Sequence, residues 1–138
     1  MTDLIIQDER VAQLEKQLRG AQETYEGAKA TFMERFEKTP VYAFEWADTV
    51  MSAAVTAKLH NEFADSIIAN QEGDKPLSYE EIIAFITRDL TDRVLRGAES
   101  PKQSTSSTQN LLAQFELSAA AKLLKRITTF WSQSATYG

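Results

Sequence analysis

Residues 4–32, LIIQDERVAQLEKQLRGAQETYEGAKATF, place Leu4, Gln7, Val11, Leu14, Leu18, Ala21, Tyr25, Ala28 and Phe32 at alternating spacings of three and four. A stripe that keeps a seven-residue period for this long belongs to a helix built to lie against another helix, in its own chain or a partner's. Gly20 and Gly27 fall on the outer face. Each costs about 1 kcal/mol in helix propensity, so tertiary or partner contacts must hold this helix together.

Working outward, the first helix is expected over about 3–38 and ends at Thr39-Pro40, where Thr39 can cap and Pro40 suits the first helical position. A second helix, about 40–70, carries Phe44, Met51, Val55 and Leu59 on one face, widened by Ala43, Val50, Ala54, Ala57 and Ile68. After a polar loop, Leu77-Ser78-Tyr79-Glu80-Glu81-Ile82 combines a capping box (Ser78, Glu81) with a hydrophobic staple (Leu77, Ile82). It starts a third helix over about 78–96, with Ile82, Ile83, Phe85, Ile86, Leu90, Val94 and Leu95 as its core face and Gly97 placed to end it in a left-handed cap. Residues 98–105 read as a mobile loop. Ser106 with Gln109 opens a fourth helix, about 106–131, bearing Leu111, Leu112, Phe115, Ala119, Leu123, Leu124, Ile127, Phe130 and Trp131, and 132–138 reads as a tail.

The expectation is an all-α fold: one helical domain over 1–138, with a long antiparallel N-terminal hairpin and two shorter helices. At 1.5 Å per residue the first helix spans roughly 50 Å and the third about 28 Å, so part of the hairpin is left uncovered. Composition agrees, with only 5 glycines and 3 prolines in 138 residues against 43% hydrophobic residues. The absence of cysteine excludes disulfides, thiolate metal sites and a cysteine nucleophile. No stretch nears the roughly 18 apolar residues of a membrane span, and the start lacks a signal-peptide pattern, so the expected setting is cytoplasmic and away from membranes. Charge is unevenly shared: residues 1–81 hold 16 acidic and 8 basic side chains, 82–138 hold 4 and 7, so the two parts can attract within or between chains.

Candidate chemistry is sparse, and no cofactor is called for. Carboxylates recur at i, i+3 as Glu34/Glu37, Glu45/Asp48 and Glu62/Asp65. Such pairs on facing helices hold magnesium in the all-α nucleoside-triphosphate pyrophosphatases, so a nucleotide hydrolase using Glu34, Glu37, Glu45 and Asp48 is the enzymatic alternative. Geometry opposes it. Asp48 and Glu62 lie about 21 Å apart along one helix, and Glu34 and Glu37 sit on the side opposite Phe32. Asp48 shares a face with Phe44, Met51 and Val55, where an edge aspartate pairs with a basic side chain or hydroxyl. His60 lacks a glutamate three residues before it and reads as a surface histidine. Lys122, Lys125 and Arg126 beside Phe130 and Trp131 raise nucleic-acid binding as a further alternative, disfavoured by the net charge of −5.

What remains is contact. With Leu4, Val11, Leu18, Tyr25 and Phe32 at a, only Arg10–Glu15 among the g–e pairs attracts, so charge does not specify a parallel coiled-coil dimer. The small d residues Ala21 and Ala28 suit close packing on the second helix. Leu4, Ile5, Val11, Leu14 and Leu18, at the end farthest from the turn, are therefore expected to be the protein-binding residues, on a projecting arm over 1–20. The partner is expected to be another protein or a second copy, and the function that of a non-enzymatic adaptor, assembly factor or inhibitor.

Overall fold

Asp8 opens the first helix by accepting the Arg10 N–H on Oδ1 at 2.9 Å, which satisfies one of the donors a first turn leaves unpaired. The computed structural model describes residues 8–99 and 107–131. Among these it holds four helices and no strand: α1 (Glu9–Lys38), α2 (Pro40–Gln71), α3 (Tyr79–Glu99) and α4 (Ser107–Arg126), the last followed by a π turn, Ile127–Trp131. The all-α, four-helix expectation holds. Residues 3–7, 100–105 and 132–138, with the expected Ser106 cap, lie outside the described residues.

A single residue, Thr39, reverses the chain between α1 and α2. Pro40 takes the first helical position, as its fixed φ favours. The Thr39 hydroxyl, however, does not cap α2. It points back to the Arg35 carbonyl at 3.5 Å, beside the Thr39 N–H that donates to the same oxygen at 2.7 Å. With one residue for the reversal, Thr39 is used to finish α1, and only its carbonyl serves α2, accepting from Tyr42 and Ala43.

The hairpin closes on small residues. Along α2, Ala43, Val50, Ala57 and Ala64 recur every seven residues, as do Ala47, Ala54, Asn61 and Ile68, opposite Ala21 and Ala28 of α1. Alanine at such positions lets two helix backbones approach closely. Ala43 and Ala57 are fully buried yet lie outside the core shared with α3 and α4, so the hairpin itself covers them. Polar contacts fix the register: Asn61 Nδ2 donates to Gln22 Oε1 at 3.0 Å, Trp46 Nε1 to the Ala28 carbonyl at 3.3 Å, and Arg19 meets Asp65 at 2.8 Å. Substituting alanine at Gly20 or Gly27 is expected to stabilise the protein by about 1 kcal/mol each, since a Cβ at either position meets nothing within 4 Å and neither has positive φ. A higher urea midpoint with unchanged m-value checks this.

The capping box at the start of α3 is formed in full. Ser78 N–H donates to Glu81 Oε1 at 2.9 Å and Glu81 N–H to Ser78 Oγ at 3.2 Å. The loop before it is pinned by Asn70, whose Oδ1 accepts the Leu77 N–H at 2.9 Å. The chain thus re-enters beside the start of α1, where Arg10 pairs with Glu80 at 3.0 Å and lies over the Tyr79 ring at 4.7 Å.

One hydrophobic core joins all four helices at this end: Val11, Leu14 and Leu18 of α1; Leu59, Phe63, Ala64 and Ile67 of α2; Tyr79, Ile82, Ile83, Ile86 and Leu90 of α3; Ala119, Ala120 and Leu123 of α4, with Ile127. This corrects the expected arm. Val11, Leu14 and Leu18 do not project, because α3 returns to their level and covers them; Leu4 and Ile5 lie outside the described residues. Gly97 is also reassigned. It stays helical, no glycine among the described residues has positive φ, and α3 continues to Glu99. A Cβ at Gly97 would stand 2.8 Å from Leu117 Cδ1, so the missing side chain lets α4 pack against α3.

Candidate interaction surface at the open end of the hairpin

Helix lengths decide which part of the hairpin is left open. Arg93 of α3 meets Glu62 of α2 at 3.6 Å. For antiparallel helices rising 1.5 Å per residue, Glu99 then reaches the level of about residue 56 of α2. Gly97 against Leu117 sets α4 antiparallel to α3, and Ser107 reaches the level of about residue 48. The last two turns of each hairpin helix lie beyond both, over roughly 12 Å.

Those turns present large apolar side chains to solvent: Met33 is 53% exposed, Phe36 48%, Val41 76% and Tyr42 60%. Their placement follows the core. Eighteen residues make five helical turns, so positions 18 apart share a face about 27 Å apart along the axis. Phe36 is in this relation to Leu18, Val41 to Leu59 and Tyr42 to His60, three positions exposed 0%, 7% and 4%. The tip therefore carries the surface that α3 and α4 bury lower down, and neither of those helices extends over it. Phe36 retains support from Phe32, with ring centroids 6.1 Å apart, and Arg35 lies 5.0 Å over Trp46.

Three carboxylates border this patch. Glu37, Glu45 and Asp48 are exposed, and no ion pair reaches them among the described residues, whereas Glu34 pairs with Lys38 at 3.1 Å. Asp48 thus lacks the expected basic or hydroxyl partner among the described residues. Among the described residues no three acidic, histidine or cysteine side chains converge to hold a metal ion, so Glu34, Glu37, Glu45 and Asp48 do not form the four-carboxylate site considered from spacing. No protein-family model matches the chain, and no curated protein or solved structure matches it.

The other sequence candidates fall elsewhere. Lys122, Lys125 and Arg126 sit exposed near the end of α4, at the far end from the tip, where positive charge complements the helix dipole. Two groups of apolar residues expected in the core are instead on the surface. Phe85 and Leu95 lie about half exposed on the outer face of α3, and Leu111 and Leu112 are exposed on α4. Ile82, Ile86 and Leu90 already fill the face that α3 turns inward, and α4 begins beyond the shared core.

His60 is buried, not a surface residue. The Thr56 carbonyl can only accept, so the 2.8 Å contact makes Nδ1 the protonated nitrogen of a neutral ring. Burial holds the imidazole below its ordinary value near 6.5, reinforced by Arg126 and opposed by the Thr56 hydrogen bond. An unfolded chain protonates this ring at a higher pH than the folded one, so the stability it contributes is complete above about 6.5 and declines as pH falls toward the folded value. The melting-temperature gap between wild type and His60→Gln should narrow from pH 7.5 to pH 5. A gap independent of pH would contradict this.

Proposed function

We propose that this chain is a non-enzymatic helical protein–protein interaction module, of the adaptor, assembly-factor or small-inhibitor kind, that binds through the open end of its α1–α2 hairpin. The observation that supports this reading is the exposure of Phe36, Val41 and Tyr42 on the faces that Leu18, Leu59 and His60 bury in the same molecule. An apolar hairpin surface left without a helix among the described residues is what a helix-in-groove or helix-on-hairpin contact uses. Aromatic side chains at the centre of such patches carry most of the binding energy. A cytoplasmic setting goes with this proposal; among the described residues no helix is long and apolar enough to cross a membrane.

Photo-crosslinking tests it. A benzophenone side chain at Tyr42 should give a discrete protein adduct in an extract of the native cells, and the same group at exposed Glu72, in the polar loop, should not. Tyr42→Ala together with Val41→Asp should weaken capture of that protein at least 30-fold, the effect of losing about 2 kcal/mol at a hot spot. Absence of any adduct from Tyr42, or equal yields from both positions, would contradict the proposal.

A further inference from the structure

We infer that the occupant of the hairpin tip is the outer face of α3 in a second copy of this chain, in a two-fold dimer where each tip docks on the other copy's α3. This rests on the interaction reading above and names its partner.

The two surfaces are complementary in chemistry. The tip is apolar with a carboxylate border: Phe36, Val41 and Tyr42 beside Glu37, Glu45 and Asp48. The outer face of α3 carries two apolar side chains around Arg88, with the exposed Asp92–Arg96 pair beside it. Phe85 and Leu95 are exposed, and between them lies Arg88, exposed and without an ion pair among the described residues, in contrast to Arg93 and Arg96, which pair with Asp89 and Asp92 at 2.6 Å. Phe85 and Leu95 are ten residues apart, about 15 Å along the helix, which matches the roughly 12 Å of open hairpin. Like charges meet if two tips face each other, whereas a tip against α3 brings Glu45 and Asp48 to Arg88.

Area decides between one contact and two. At about 200 Å² for each large apolar side chain, the exposed fractions leave roughly 450 Å² at the tip and about 200 Å² on α3. One contact would then bury about 650 Å², the scale of incidental crystal packing, but two symmetry-related contacts bury about 1,300 Å², within the range of specific interfaces. The tip and the middle of α3 are separated along the hairpin by roughly 36 Å, so two antiparallel copies can each reach the other's α3. A two-fold pair also closes, where a single repeated head-to-tail contact would build an open chain.

A charge swap tests the arrangement. In sedimentation velocity from 5 to 500 μM, the intact chain should pass from monomer to dimer, with at least tenfold weaker association in 500 mM than in 50 mM salt. Glu45→Lys with Asp48→Lys should give a monomer, and so should Arg88→Glu; all three residues are exposed, and circular dichroism confirms that the variants fold. Mixed one to one, the two variants should form a heterodimer by native mass spectrometry, since both contacts then again join opposite charges. A wild-type monomer at 500 μM, an unchanged dimer in either variant, or a mixture that stays monomeric would overturn the inference. Overturned in this way while the Tyr42 crosslink still captures a different protein, self-association falls and the interaction reading stands.

Discussion

Leu18→Ala is expected to destabilise the protein by about 3 kcal/mol or more, while Phe36→Ala, on the same face of the same helix, costs about 1 kcal/mol or less. Leu18 is completely buried where α1 meets the shared core, so truncation removes its transfer energy and leaves a cavity that the surrounding helices close only in part. Phe36 gives up a half-exposed ring and one stacking contact with Phe32. Urea unfolding of both variants measures the contrast. Equal costs would mean that the tip is as well covered as the core. Leu59 and Val41 form the matching pair on α2, with the same expected asymmetry.

Ala57→Leu should cost about 2–3 kcal/mol for the opposite reason, overpacking. Ala57 is buried within the hairpin and takes no part in the core shared with α3 and α4, so an added isobutyl group can be housed only by pushing α1 and α2 apart. Such a shift would also strain the Asn61–Gln22 hydrogen bond and the Arg19–Asp65 pair a turn or two further along. The same substitution at Ala84, exposed on α3, should stay within about 0.5 kcal/mol of wild type. If Ala57→Leu were equally mild, the alanine seam would not be setting the separation of the helices.

Much of this architecture could be read from local sequence because its signals are local. The heptad spacing from Val11 to Phe32, the Thr39-Pro40 break and the Ser78/Glu81 box each act within a few residues and appear as expected in α1, at the hairpin turn and at the start of α3. The mismatch in helix length also pointed correctly to an uncovered part of the hairpin. Which end it was could not be read in this way. Leu18 and Phe36 have the same period and the same face, and it is the loop over 72–78, pinned by Asn70, that starts α3 beside Val11 and Leu14, from where its 21 residues stop short of the tip. The same limit explains Phe85 and Leu95. Periodicity tells which residues share a face, but α3 has apolar residues on two faces, and the packing of α4 chooses between them. His60 lay within a wide apolar arc, and its burial depends on neighbours that are far away in sequence.

The ion pairs that cross between helices among the described residues, Arg10–Glu80, Arg19–Asp65 and Arg93–Glu62, all lie alongside the four-helix core. At these exposed positions each contributes at most about 1 kcal/mol, less with salt, so they define register more than stability. Toward the tip the hairpin relies on its alanine seam and on the Trp46 contacts with Ala28 and Arg35. The tip is therefore expected to open more readily than the core, as surfaces that receive a partner commonly do.

Hydrogen exchange, read residue by residue at 2 μM and at 500 μM, tests this division most directly. At 2 μM, amides of 30–48 should exchange through local openings well below the global unfolding free energy, while those of Leu14, Leu18, Phe63, Ile86 and Leu90 exchange only on global unfolding. At 500 μM the slow core amides should be unchanged and those of 30–48 should gain protection, together with the amides around Arg88. Uniform protection of both halves of the hairpin at 2 μM, or protection near Leu18 that appears only at 500 μM, would contradict the assignment of the open surface to the tip.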